Sequence, residues 1–225
     1  MNIYIVHYTK LCDRKKNIFS ILKDSNSNFE FIENYDKENL NNNNYYLPNS
    51  DMFKEKTKLW KNEIHNFRIL NDAEISCTIK HILAIEKVAN QNDDYGLILE
   101  DDAIPCSSNF KDEIQQLIDN APSNWDAIFL GLGCGLNFIN EKINNKKVIN
   151  NEFIEMDHPA TNCAEAYLLK KKSAKRILNS IIPFQLVSDW ELAYQFYKLN
   201  MHIYWTKNPL FYQGSKTGQF TSTLR

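Results

Sequence analysis

The stretch YGLILEDD, residues 95–102, decides how the rest of the chain is interpreted. Its apolar part has the length and flanks of a buried strand, and it ends in three consecutive carboxylates, Glu100, Asp101 and Asp102. In α/β proteins, ligands bind at the carboxyl ends of the strands, where adjacent carboxylates can hold a hard divalent cation through oxygen ligands. The three residues alone leave a solvated acidic turn open as the alternative.

Length and composition favour one ordinary globular domain. A chain of 225 residues can form one well-built core, so we predict a single domain over residues 1–225. With 43% hydrophobic and 24% charged residues, the composition is typical of a soluble globular protein. The net charge of -2 and the lack of a basic block predict no nucleic-acid partner, and nothing in the sequence indicates an oligomeric state.

The cysteines and the N-terminus bear on the cellular compartment. The five cysteines are odd in number and never form a Cys-x-x-Cys spacing, which predicts reduced thiols rather than a zinc site or a disulfide framework. The N-terminus lacks a basic region followed by a long apolar one, and no apolar run approaches the roughly 20 residues of a membrane span. We therefore expect a cytoplasmic protein whose membrane contact, where there is any, is peripheral.

The order of apolar segments predicts an α/β protein with a mainly parallel sheet flanked by helices on both sides. The predicted strands are residues 3–6, 29–32, 95–99, 125–132, 166–169 and 202–206, and the predicted helices are residues 13–23, 72–89, 110–118, 173–181 and 188–199. Two segments stand apart from this alternation. Residues 39–70 form an Asn-rich loop and a charged helical segment, an insertion of the kind that often covers active sites. Residues 213–225 are polar and contain glycine, which predicts either a flap that orders on ligand binding or a frayed terminus.

Several polar residues allow both a structural and a functional interpretation. Ser188 with Glu191 is the pattern of a capping box, and Asp189 complements the helix dipole, but the same helix start would also present a carboxylate rigidly to a cleft. Arg14 begins a helix and is either a surface residue or a ligand of a phosphate or ribose. His81 lies beside an apolar stripe, where a buried core histidine is the ordinary interpretation.

Taken in order, several stretches resemble glycosyltransferase family 25, the lipopolysaccharide and collagen galactosyl- or glucosyltransferase group. The similar stretches are residues 3–14 with Asp13-Arg14, 73–81 with Cys77 and His81, 95–103 with Glu100-Asp101-Asp102, 161–174, 189–190 and 213–225. Ala73, Ser76 and Lys80 depart from the family's pattern, which has Gly, Gly and Ser there. Residues 39–70 match nothing in the family, so the choice of acceptor stays open.

The resemblance implies a GT-A type fold with a nucleotide-binding sheet. It also implies a UDP-sugar donor, UDP-galactose or UDP-glucose, with Mn²⁺ or Mg²⁺ as the cation and inversion at the anomeric carbon. The expected acceptor is a glycan, glycolipid or glycoprotein, as in lipopolysaccharide or other glycan biosynthesis. A Lewis acid suits this chemistry because the leaving pyrophosphate gains charge as the glycosidic bond breaks.

By the same resemblance, Asp102 and Glu100 are the expected metal ligands, and Glu100 and Asp101 are also expected to contact the donor. Inversion needs one base opposite the leaving group, and Asp189, or failing that Glu191, is our hypothesis for it. The further residues expected at the donor are Arg14, Thr9, His81, Lys216 and Arg225.

Two other functions compete with this interpretation. A nucleotidyltransferase would also use a metal and a nucleotide, but it usually has a Gly-rich, basic loop after the first strand, and residues 6–14 contain no glycine. A glycosyltransferase-like domain that has lost turnover would serve as a carbohydrate-binding or scaffolding module. The intact Glu100-Asp101-Asp102 run favours an enzyme over that module.

Overall fold

The structure is a computed structural model that describes residues 1–23, 27–40, 44–48, 51–59, 68–131, 146–156 and 163–222. Its strands are β1 Asn2–Val6, β2 Phe29–Ile32, β3 Tyr95–Glu100, β4 Ala103–Pro105, β5 Ala127–Phe129, β6 Lys146–Val148, β7 Phe153–Met156, β8 Ala166–Lys170, β9 Ile203–Thr206 and β10 Phe211–Gln213. Its helices are α1 Cys12–Leu22, α2 Asp51–Lys58, α3 Asp72–Asn90, α4 Phe110–Asp119, α5 Lys171–Leu178, α6 Ser188–Lys198 and α7 Gly214–Thr217.

Eight strands form one central sheet in the order β2-β1-β3-β8-β5-β9-β7-β6. Strands β7 and β8 run against the common direction of the other six. A small antiparallel sheet pairs β4 with β10. The predicted α/β class with a mainly parallel sheet flanked by helices is therefore confirmed, and it agrees with the GT-A type architecture that the resemblance implied.

Both faces of the sheet are buried, which explains the continuous apolar runs of its strands. Side chains alternate between the faces, so that Tyr4 and Val6 join the core beneath α3, α5 and α6. Ile3 and Ile5 point to the opposite core, which α1 and α4 cover. The same alternation holds along β3, where Ile98 joins the first core and its neighbours join the second.

Aromatic side chains fill the centre of the core beneath α3. The Phe129 ring stacks on Trp205 with centroids 4.6 Å apart, and its centroid is 5.4 Å from that of Tyr167. All three side chains are buried. This cluster joins β5, β8 and β9, so it fixes the middle of the sheet.

The strand directions bring distant polar segments to one edge of the sheet. β1 and β3 are parallel, so both end at this edge. β8 is antiparallel to β3 and therefore begins there, with Ala166 opposite Leu99. β10 pairs with β4 immediately beyond the acidic run.

Some predicted boundaries differ from the structure. Helix α3 is capped by Asn71, not by the predicted Asp72, because the Asn71 side chain accepts from the Glu74 N–H and Glu74 completes a capping box. β6 begins within a span that the sequence predicted as a loop, and β4, β7 and β10 were not predicted at all. These strands have three or four residues each, which is too short to show a period of two. Part of the predicted insertion helix is present as α2, whereas residues 60–67 lie outside the described residues.

The thiols only partly follow the sequence-based expectation. Cys12, Cys77 and Cys106 are free, as the scattered cysteines predict. Cys163 is disulfide-bonded, which differs from that expectation. None of the described helices is long and apolar enough to cross a membrane.

We expect Phe129→Ala to lower the free energy of unfolding by about 3–5 kcal/mol, because it leaves a cavity between two stacked aromatic rings. Phe19→Ala is the matched control: Phe19 is 50% exposed, and its removal should change stability far less. Urea unfolding of both variants measures the difference. Equal losses would contradict the assignment of this cluster as the centre of the core.

Candidate active site

A pocket of about 470 Å³ opens at the carboxyl edge of the sheet. Its walls come from the loop after β1, the first turns of α3, the end of β3, the start of α6 and the segment around α7. Glu100, Asp101, Asp102 and Asp189 all line it. The fold thus brings together the two acidic segments that the sequence singled out, although they are almost ninety residues apart.

Asp101 is buried and fully engaged with neighbouring groups. One carboxylate oxygen accepts from Arg14 Nη1 at 2.7 Å, and the other lies 2.8 Å from His7 Nδ1 and 3.3 Å from the Tyr8 backbone nitrogen. A carboxylate only accepts, so His7 donates from Nδ1. Asp101 is therefore a structural centre of the pocket floor, with its charge already compensated.

Asp102 is equally buried but less well compensated. The Ser215 N–H lies 3.3 Å from Oδ2, and Arg14 Nη1 is 3.6 Å from the same oxygen. Oδ1 has no hydrogen-bond partner among the residues that the structure describes. Burial, followed by the charge of Glu100, raises the pKa of Asp102 to about 6.

Glu100 connects the pocket to the helix behind it. Its Oε2 accepts from Gln213 Nε2 at 3.1 Å, and its Oε1 lies 3.4 Å from His81 Nε2. His81 is buried, and its Nδ1 lies 3.2 Å from the Tyr167 hydroxyl. His81 thus stands behind Glu100 and is not among the residues that line the pocket.

These groups fit a hard divalent cation. An orphaned, buried carboxylate oxygen on Asp102 is the kind of ligand that Mn²⁺ or Mg²⁺ prefers, and Glu100, whose charge acts on Asp102, adds a second carboxylate to the same pocket. A cation would also relieve the repulsion between the two carboxylates, which helps to raise the pKa of Asp102.

Asp189 lies in the first turn of α6 and borders the pocket. Its carboxylate accepts from the backbone N–H of Trp190 at 2.9 Å and from that of Cys163 at 3.3 Å. Burial, and after it the charge of Glu100, raises the pKa of Asp189 to about 6 in spite of these bonds. A carboxylate with this pKa is ionised at neutral pH and is still a better proton acceptor than an ordinary aspartate.

Glu191 occupies a different environment from Asp189. It is completely buried and pairs with Lys56 Nζ of α2 at 2.5 Å. It also accepts from the Gln185 and Leu186 N–H groups at 3.1 and 3.3 Å. Glu191 is not part of the pocket lining. The predicted capping box is wrong. The N-cap residue of α6 is Val187, and no side chain forms a capping hydrogen bond at this helix start.

The other residues expected at the donor site have varied positions. Arg14 and the exposed Lys216 line the pocket. Arg14 also donates to the Thr221 carbonyl at 2.5 Å, which draws the C-terminal segment over the pocket. Thr9 does not line the pocket and instead donates to Asp36. Arg225 lies outside the described residues.

Sequence reasoning gave no role to several residues that shape this site. Lys80 is buried and donates to the His7 carbonyl and to Asp36, so it joins the loops that follow β1 and β2. Gln213 and Ser215 hold Glu100 and Asp102 from the C-terminal segment. The sequence did contain a signal that Lys80 has a structural role. It stands where the family has Ser, and a lysine within an apolar helix face needs a partner.

An α/β sheet with a carboxylate-lined pocket at its carboxyl edge fits a glycosyltransferase. The family model described as Glycosyltransferase family 25 (LPS biosynthesis protein) matches residues 1–192. The chain therefore belongs to glycosyltransferase family 25, and it is an enzyme of the glycosyltransferase class. No curated protein matches it in sequence.

Three similar solved structures share little sequence identity with this chain. A mutant of a Drosophila β1,4-galactosyltransferase 7, in complex with manganese, UDP-Gal and xylobiose, is 10% identical with a TM-score of 0.43, over 93% of this chain and 68% of that one. A glycosyltransferase involved in glycosylation of the major capsid of PBCV-1 is 10% identical with a TM-score of 0.45, over 94% and 91%. The galactosyltransferase LgtC, with donor and acceptor sugar analogs, is 12% identical with a TM-score of 0.41, over 91% and 73%.

We expect Asp102→Asn to stabilise the ligand-free protein at pH 7 by the order of 1–3 kcal/mol. The folded pKa of Asp102, about 6, lies above its ordinary value, so the fold loses stability as the pH rises from about 4, where the unfolded chain ionises, to about 6, and the loss is complete at pH 7. Asparagine carries no such cost. Urea unfolding at pH 7 and pH 4 measures the gain, which should nearly vanish at the lower pH. A loss of stability of Asp102→Asn at pH 7 would contradict the conclusion that the charge of Asp102 is poorly compensated.

Proposed function

We propose that this protein is an inverting, metal-dependent hexosyltransferase that moves galactose or glucose from a UDP-sugar to a hydroxyl of a glycan, glycolipid or glycoprotein. The observation that carries the proposal is the placement of Asp102 and Asp189 on one pocket. One offers an orphaned oxygen for a cation, and the other offers a carboxylate with the pKa of a base. A cytoplasmic role in lipopolysaccharide or other glycan biosynthesis belongs to the same proposal.

The acidic floor of the pocket suits the diphosphate end of a sugar nucleotide when a cation accompanies it. Asp102 and Glu100 would hold that cation, and it would supply Lewis-acid neutralisation of the leaving diphosphate. Arg14 and Lys216 contribute positive charge at the same pocket. Arg14 is held in place by Asp101, so its guanidinium is preorganised rather than recruited on binding.

Asp189 is the group that we assign to deprotonation of the acceptor hydroxyl. It sits on a rigid helix start, and two backbone N–H groups hold its orientation. An inverting transfer needs one base on the face opposite the leaving group, and no covalent intermediate forms. The complete engagement of Glu191 with Lys56 and two backbone N–H groups leaves Asp189 as the better candidate.

A panel of sugar nucleotides tests the proposal as a whole. We expect UDP-galactose or UDP-glucose with Mn²⁺ to raise the melting temperature by about 5 °C or more at saturation, because binding to the folded state stabilises it by about 2.7 kcal/mol at 100 times Kd. EDTA should remove most of that shift, and Asp102→Asn should lose its Mn²⁺-dependent part. Release of UDP with a glycan acceptor is the activity readout.

Two other results of the panel would contradict the proposal. A rise in the melting temperature with no UDP release in the presence of any acceptor would favour a carbohydrate-binding or scaffolding domain. A rise in the melting temperature with nucleoside triphosphates, together with release of pyrophosphate, would favour a nucleotidyltransferase.

We expect Asp189→Asn to keep the fold and donor binding but to lose transfer by about 10²–10⁴-fold, which is the usual contribution of general base catalysis. Glu191→Gln is the contrasting variant. It should lower the melting temperature because it weakens the compensation of buried Lys56, while the remaining folded enzyme keeps its transfer rate. The opposite pattern, with Glu191→Gln inactive and Asp189→Asn active, would move the base to Glu191.

The pH dependence of the wild-type enzyme supplies a second readout for the same assignment. A base works only when it is ionised, so kcat/KM should fall as the pH drops through about 6, where Asp189 becomes protonated. An ordinary aspartate would lose activity near pH 4 instead. An acid limb that is centred near 4, or the absence of one above pH 4, would count against Asp189.

A further inference from the structure

Three side chains of different chemistry meet at the wall of the pocket, where α3 passes the end of β3. Cys77 and His81 are four residues apart on α3, so they project from the same face of the helix. Glu100 is the last residue of β3 and faces them. A sulfur atom, a ring nitrogen and a carboxylate oxygen of these residues lie within 4.8 Å of one another.

Outer partners hold two of the three groups in the orientation that a cation would need. The Tyr167 hydroxyl lies 3.2 Å from His81 Nδ1, and the Tyr167 ring stacks near the imidazole. The other ring nitrogen of His81, Nε2, therefore faces Glu100. Gln213 Nε2 binds Glu100 Oε2, which leaves Oε1 toward His81. Such second partners are the usual means by which proteins orient metal-binding imidazoles and carboxylates.

A direct hydrogen bond explains this arrangement poorly. The distance between His81 Nε2 and Glu100 Oε1 is 3.4 Å, which is longer than the usual 2.9–3.0 Å of an N–H···O bond. The Cys77 thiol, which also contacts the Ser188 side chain, lies close to both of these groups. A gap between three potential ligands is the arrangement that an ion would fill.

We propose that Cys77, His81 and Glu100 bind a borderline divalent cation such as Zn²⁺, at a site that adjoins the proposed oxygen-ligated cation site at Asp102 and shares Glu100 with it. Sulfur and imidazole ligands favour Zn²⁺ or Co²⁺, whereas Mg²⁺ and Mn²⁺ prefer oxygen. Cys77 and Glu100 also line the pocket, so the fourth coordination position faces the cavity. Three protein ligands with one open position make an accessible site rather than a closed structural one.

Occupancy of this site has a consequence that rests on the proposed function. Glu100 is shared between this site and the proposed cation site at Asp102. A Zn²⁺ ion that takes Glu100 removes one ligand from the neighbouring site and adds a positive charge beside it. Zn²⁺ therefore inhibits transfer that Mn²⁺ supports.

Titration of the metal-free full-length chain with Co²⁺ tests the site directly. Cobalt bound by a thiolate gives an intense ultraviolet charge-transfer band, and tetrahedral cobalt gives visible bands. We expect one equivalent of Co²⁺ to produce both, and Zn²⁺ to remove them. Cys77→Ser should abolish the ultraviolet band and weaken binding by at least about tenfold, a loss that even outer partners of metal ligands cause.

Matched variants separate this site from other thiols and from the proposed activity. Cys106→Ser removes an exposed free thiol and should keep the bands unchanged. Glu100→Gln should weaken Co²⁺ binding but keep the sulfur band, which guards against a folding defect in Cys77→Ser. Asp102→Asn should lose Mn²⁺-dependent transfer and keep the sulfur band. The absence of that band in the wild type, or its persistence in Cys77→Ser, would overturn the metal site while leaving the transferase proposal intact.

Discussion

The charge of Asp101, buried at the carboxyl end of β3, has to be compensated, and its compensation joins separate parts of the chain. Arg14 reaches it from α1 and His7 from the end of β1. The same guanidinium donates to Thr221, which brings the C-terminal segment to the acidic run. Since an unpaired buried carboxylate is strongly unfavourable, these elements hold one another in place. Arg14 thereby stays 3.6 Å from Asp102, too far to satisfy it, and Asp102 remains open to a ligand.

A second buried charge connects the insertion to the proposed base. Lys56 and Glu191 are both completely buried, and removal of one partner from such a pair typically costs about 3–5 kcal/mol. Lys56 belongs to α2, within the segment that the sequence predicted as an insertion. Glu191 lies one half-turn beyond Asp189 and also holds the backbone that precedes α6. The insertion therefore helps to fix the helix start that presents Asp189.

The sequence predicts the elements whose buried faces repeat and the acidic residues that follow them. β1, β3 and β8 show continuous apolar runs because helices cover both faces of the sheet, and Glu100 to Asp102 were found because they end such a run. The sequence alone left open whether Asp189 or Glu191 is the better candidate for the base. Both lie in the same first turn, and the partner that withdraws Glu191 is Lys56, 135 residues away along the chain. His81 was correctly expected to be buried, but its position behind Glu100 depends on how α3 crosses β3.

Glu100 sets the energetic state of the whole pocket. Its charge adds to burial in raising the pKa of both Asp102 and Asp189, so Glu100 opposes the ionisation of both aspartates. A positively charged occupant would act in the opposite direction, because it favours the ionised form of a carboxyl group. Relief of this repulsion would favour binding of the proposed cation.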